Sequence, residues 1–111
     1  MKAWKGSWIR LTHKKVISLI GLSMKAGKIA SGEFATEKAV KTGKAYMVIT
    51  SAEASDNTKK KFRNMCEYYQ VPYYEFGSKI ELGAAIGKEF RASLAVTDEN
   101  LASALEKQMN I

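Results

Sequence analysis

The run SGEFATEK (31–38) holds the residue types best suited to chemistry, and that chemistry is binding rather than bond breaking. Gly32 stands where an apolar-periodic helix begins, with the small polar Ser31 before it. A glycine there lets the backbone of another molecule come close, and the free N–H groups of a helix start attract anions. Glu33 follows at once and has the wrong charge for a phosphate. Lys38 comes one to two turns in and shares a helix face with Lys41, three residues on. Lys28 leads into the same turn. A second constellation lies at 87–92, where Lys88, Glu89, Phe90, Arg91 and Ala92 follow a glycine. Two cations around an aromatic ring offer charge and stacking together. Set between a helix and a strand, this loop is expected to stand out as a finger at the edge.

Bond-making chemistry has little to work with. His13 is the single histidine, and its neighbours Lys14 and Lys15 predict a place in solvent. No serine or cysteine has an evident base partner, which a nucleophile requires. GKIASGEF (27–34) has two glycines five apart but lacks the GK[ST] ending of a P-loop. Asp56 and Asp98 read as helix caps, and Glu81 as the far half of a capping box begun by Ser78. Cys66 is the lone cysteine, so no internal disulfide forms and no zinc spacing exists. The expectation is a protein that is not an enzyme, with no catalytic residue, metal or cofactor.

The totals agree. A net charge of +7 and a pI of about 9.5 on 111 residues suit a polyanionic partner, nucleic acid above all. With 46% hydrophobic residues and one proline, the chain reads as one domain over 1–111, its core about 14–107. MKAWKGSWIR has no apolar core of a secretory signal, and no run approaches the roughly 18 apolar residues of a membrane span. A cytoplasmic protein away from membranes is expected.

The elements that position these residues follow from periodicity. Val16, Leu19, Ile20 and Met24 give a first helix over 14–25. Ile29 and Ala30 make a very short strand. A second helix covers 32–42 with Ala35, Ala39 and Val40 inward, and YMVIT (46–50) is a strand covered on both faces. A third helix starts at Ser55 and Asp56 with the stripe Phe62, Met65, Cys66 and Tyr69, leaving Lys59, Lys60 and Lys61 on a solvated face. VPYYEF (71–76) is β-rich. A fourth helix begins at Ser78 and carries Leu82, Ala85 and Ile86. SLAVT (93–97) is a last strand, and Asp98 opens a helix with Leu101, Ala104 and Leu105 inward. Strands alternating with helices over short connections give an α/β layered domain.

Gly32 with Lys38-Ala39-Val40 and Gly43, then YMVIT, Val71-Pro72, Glu81-Leu82-Gly83, Gly87 and LAVTD, form a combination specific as a whole. It resembles the L7Ae/L30e ribosomal-protein family over about 14–107, and its small bacterial members in particular. The resemblance implies an α/β three-layer α-β-α sandwich around a mixed four-stranded sheet. It also implies binding to rRNA or another kink-turn RNA, a bend whose internal loop contains sheared G·A pairs. Ribosomal proteins are further implied partners, and the free protein is expected to be a monomer. In such proteins the contact surface is the start of the second helix plus the loop before the last strand. These map to Gly32–Lys38 and Gly87–Ala92, where the charge pattern also points. The family's kink-turn readers carry Asn-Glu directly after G-x. Phe34 and Ala35 stand there in this chain and cannot make those hydrogen bonds.

Overall fold

A computed structural model describes the backbone of residues 2–109 and the side chains of 13–109. Nine elements follow in order: α1 (Lys2–Lys25), β1 (Ile29–Ser31), α2 (Glu33–Lys41), β2 (Met47–Thr50), α3 (Asp56–Tyr69), β3 (Tyr73–Glu75), α4 (Lys79–Ala85), β4 (Ser93–Val96) and α5 (Glu99–Met109). The four strands form one sheet in the order β1-β4-β2-β3. β4 runs antiparallel to both β1 and β2, and β2 runs parallel to β3, so the sheet is mixed.

Strand alternation splits the core in two. Met47, Ile49, Leu94 and Val96 face α1, α4 and α5, where Val16, Ile20, Leu82 and Leu105 meet them. Val48 and Ala95 face α2 and α3, against Ala39, Val40, Phe62 and Cys66. All four residues of β2 and of β4 are buried, which explains why both strands read as unbroken apolar runs. The result is the three-layer α-β-α sandwich.

Short polar residues fix the helix starts. The Ser55 side chain accepts from the Thr58 N–H, so Ser55 is the cap of α3 and Asp56 lies in its first turn. Ser78 and Glu81 make the full capping box of α4. An Asp98 carboxylate oxygen accepts from the Leu101 N–H at 2.9 Å.

Four sequence expectations shift. α1 begins well before residue 14. In α2 the buried residue of the first turns is Thr36, fully enclosed, while Ala35 is half-buried. In α5 the inward small residue is Ala102 rather than Ala104, because the stripe runs 102, 105, 109. Tyr69 is 42% exposed and so leaves the α3 core stripe to Phe62 and Cys66. Among the described residues, no helix is long and apolar enough to cross a membrane.

Candidate nucleic-acid interface

The strand directions bring the C-terminal ends of β1, β2 and β3 to one end of the sheet, beside the start of β4. Each of those three strands leads there into a helix, so the N-termini of α2, α3 and α4 gather at the same end. Serines cap α3 and α4. The N-cap of α2 is Gly32, at φ 94°, and no side chain caps it. That φ lies in the region that favours glycine. The first-turn N–H groups of α2 therefore carry the helix's positive end without a side-chain acceptor.

The second constellation is tied to the first. The Gly32 N–H donates to the Ser93 carbonyl at 2.9 Å, and the Ser51 N–H donates to the Ala92 carbonyl at 2.8 Å. Ala92 and Ser93 thus lie between the ends of β1 and β2, and the loop before them enters β4 at the end of the sheet that holds Gly32. The expected finger is instead pressed flat. The Lys88 N–H donates to the Gly83 carbonyl at 2.8 Å, and the Arg91 N–H to the Lys79 carbonyl at 3.0 Å. A Cβ on Gly83 would lie 2.4 Å from the Phe90 Cα, so this helical glycine lets the loop lie against α4. Phe90 stays 55% exposed on its outer side, and an Arg91 guanidinium N–H donates to the Phe90 carbonyl at 2.8 Å.

Charge on α2 is unevenly free. Glu37 accepts from Lys41 at 2.7 Å and pairs with Lys61 of α3 at 2.6 Å. The hydrogen bond from Lys41, then that from Lys61, hold the Glu37 carboxyl down at about 2. The Glu37 hydrogen bond in turn raises Lys41. Lys61 also approaches Glu33 at 3.9 Å. So the expected solvated face of Lys59–Lys61 is only partly solvated. Lys59 sits 4.0 Å from Glu75 and Lys61 bridges to α2, while Lys60 is exposed. Lys38 is exposed and in no ion pair among the described residues. With Phe34, Glu37, Lys41 and Thr42 it lines a shallow groove of about 240 Å³ along one face of α2. Phe34 is 82% exposed.

Two predicted members lie elsewhere. Lys28 precedes β1 at the opposite end of the sheet from Gly32, four residues or about 13 Å of strand away. Lys41 is in the last turn of α2, about 12 Å along the axis from Glu33. The structure thus sets Ser31, Gly32, Glu33 and Phe34 at the same end of the sheet as Ala92, keeps Lys38 with Lys41 in the groove of α2, lays Lys88–Arg91 against α4, and puts Lys28 at the opposite end.

Other residues were harder to place from sequence. His13 is not in open solvent: its Nε2 lies 2.6 Å from a Glu81 carboxylate oxygen, and its ring lies 4.6 Å from that of Phe76. It shares the helical stripe of Val16 and Ile20, which carries it inward. The Ser78 backbone N–H, and after it His13, hold the Glu81 carboxyl below the usual range. Ser93 is buried, and among the described residues its hydroxyl has no partner. Tyr73 and Tyr74 are committed internally, to Thr50 and Glu75 and to Glu106. Burial pushes the Tyr73 hydroxyl up to about 12, against the lowering effect of the Thr50 bond. Among the described residues no three His, Cys, Asp or Glu side chains gather as a metal requires.

Residues 14–106 match the family model described as the ribosomal protein L7Ae/L30e/S12e/Gadd45 family. The chain belongs to this family. It is 42% identical over 87 residues to the RNA-binding protein YlxQ of Bacillus subtilis, covering 78% of this chain and 87% of that protein. YlxQ of Enterococcus faecium is 39% identical over 90 residues, 81% of this chain and 86% of its own. The large ribosomal subunit protein eL30 of Branchiostoma belcheri is 36% identical over 95 residues, 80% of each chain. Among solved structures, a protein of unknown function from Bacillus halodurans superposes with a TM-score of 0.85 at 36% identity, covering 87% of this chain and 98% of that one. A 15.5kD RNA binding protein of Giardia lamblia shares the fold at a TM-score of 0.76 and 24% identity, covering 89% and 85%. The L7Ae/L30e relatives bear the names of RNA-binding and ribosomal proteins, not of enzymes, and the chain is a non-enzyme on the strength of that membership.

Proposed function

We propose that this chain is a non-catalytic cytoplasmic protein that acts as one domain to bind structured RNA in association with the ribosome, at a kink-turn or similar bend. The observation that carries the reading is the hydrogen bond from Gly32 to the Ser93 carbonyl, which joins the uncapped start of α2 to the strand that the loop 87–92 enters. A bent RNA exposes base edges and sugars that straight A-form helix hides. The first-turn N–H groups of α2 meet a phosphate or base edge there, and Gly32 lets the RNA come close. Glu33 accepts from base amino groups, Lys38 supplies the uncompensated charge, and Arg91 adds a planar donor fork. Phe90 packs on an extruded nucleotide, where stacking is worth about 1–3 kcal/mol.

Gel shifts with a kink-turn RNA and with a control whose G·A pairs are mutated test this reading. Tight binding to the first alone supports it, and equal weak binding to both overturns the bent-RNA form of it. A second reading, an RNA-holding or protein adaptor in ribosome assembly or RNA modification, draws on Phe34, whose ring is largely exposed. A pull-down of ribosomal proteins that survives nuclease treatment and is lost in Phe34→Ser would favour it.

A further inference from the structure

The positive charge of this chain is not where the L7Ae/L30e surface is. Residues 1–32 contain seven lysines and arginines and no aspartate or glutamate. The remaining 79 residues contain eleven of each sign. The whole excess of +7 therefore sits on α1 and the turn after it, while α2 and the loop 87–92 are close to neutral.

Within the described residues, the charged side of α1 is open. Lys14, Lys15, Ser18 and Lys25 are exposed, and none of the three lysines is in an ion pair. Lys14 and Lys15 border a shallow groove of about 420 Å³ between α1 and α5, with Ser18, Leu19 and Gln108 completing it. From Lys14 to Lys25 the face runs about 16 Å along the helix axis. The opposite side of the helix is spent on the core through Val16 and Ile20. His13, just before Lys14, touches Glu81 and Phe76, and Glu81 belongs to the first turn of α4, at the sheet end that holds Gly32.

We infer that the outer face of α1 is a second nucleic-acid contact, one that binds the phosphate backbone of an RNA helix without reading its sequence. It rests on the proposed RNA function only in taking the ligand to be RNA, and it assigns a division of labour. The α2 start and the loop 87–92 select the bent RNA, and α1 supplies the electrostatic part of affinity by displacing counterions from the adjoining stem. A row of lysines with no acid among them suits a phosphate row. A membrane surface fits less well, because an interfacial helix needs its apolar side free and, over the described side chains, Val16 and Ile20 of α1 are in the core.

The test measures affinity against salt, by fluorescence anisotropy, for a kink-turn RNA and a straight RNA duplex of equal length. The proteins are wild type, Lys14→Gln/Lys15→Gln/Lys25→Gln, the corresponding Lys→Arg triple, and Lys38→Ala/Arg91→Ala, each checked for an unchanged urea midpoint. The glutamine triple should weaken binding to both RNAs alike and flatten the salt slope by about 0.9 for each phosphate no longer neutralised. If all three lysines meet phosphates, the triple's affinity change between about 50 and 200 mM salt is smaller than wild type's by up to about 40-fold. The arginine triple should keep the slope. A glutamine triple with the wild-type slope overturns the inference. If wild type fails to distinguish the two RNAs yet α1 sets the slope, the bent-RNA reading falls and this one stands. Vesicles of phosphatidylcholine and phosphatidylserine form the last arm, made necessary by Trp4 and Trp8 in the same basic segment. Binding to vesicles and to neither RNA overturns the inference.

Discussion

Alanine at position 83 sets two effects against each other. Gly83 lies within α4, and its φ is not in the left-handed region. Helix propensity alone makes alanine better there by about 1 kcal/mol. The contact geometry argues the other way. The new Cβ would stand 2.4 Å from the Phe90 Cα, 2.7 Å from its backbone N and 2.9 Å from the Glu89 carbonyl carbon. All three are backbone atoms, so no side chain can turn aside. To reach ordinary contact the loop must move by roughly 1 Å, which also strains the hydrogen bond from the Lys88 N–H to the Gly83 carbonyl. Overpacking costs about 1–3 kcal/mol, and a backbone clash belongs at the upper end. The net effect is a loss of about 2 kcal/mol, or about 8 °C in Tm at roughly 4 °C per kcal/mol for a domain of this size. Thermal unfolding by circular dichroism reads it directly. A Gly83→Ala protein as stable as wild type, or more so, would refute the account of how the loop is held.

Three further outcomes follow from the same packing. Ser78→Ala removes the hydroxyl half of the α4 capping box and should cost about 1 kcal/mol in urea unfolding, with Glu81 left in place. The Cys66 thiol, pushed up to about 11 by burial alone, stays neutral in the fold, so a thiol reagent at mildly alkaline pH should modify it only as fast as the protein opens. Because that value is raised from 9.0, the thiol's contribution to stability is whole below pH 9 and is lost as pH climbs through 11. Glu37 has the opposite sign. Its carboxyl is lowered from 4.5 to about 2, so its contribution is whole above pH 4.5 and is lost as pH falls to 2. Urea midpoints over that window should fall less steeply in Glu37→Gln than in wild type, and parallel profiles would count against the Lys41–Glu37–Lys61 bridge.

Element identity was legible because each element announces itself locally. The apolar runs that became β2 and β4 are buried on both faces, and the S-x-x-E spacing of Ser78 and Glu81 is an actual capping box. The two halves of the candidate site rest on sequence marks as well, one on Gly32 and one on the charged aromatic loop. What stayed hidden depends on partners far away in sequence. Thr36 looked polar and is fully buried, because burial follows helix angle rather than residue type. His13 looked solvated between lysines, yet a partner 68 residues on draws it in. The Lys59–Lys61 run looked uniform, and only the approach of α2 separates Lys61 from Lys60. Lys28 and Lys41 seemed close to Gly32 along the chain, but a strand and a helix carry them to the other end of the sheet. The role of Gly83 was unreadable, since nothing in a sequence shows a backbone approaching from the loop 88–91.

Amide chemical shifts, followed as a kink-turn RNA is added, test the central claim most directly. The account predicts the largest changes at 32–38 and 88–92, with the straight duplex leaving those amides nearly still. Unmoved amides at both places, with binding still saturable, would contradict it.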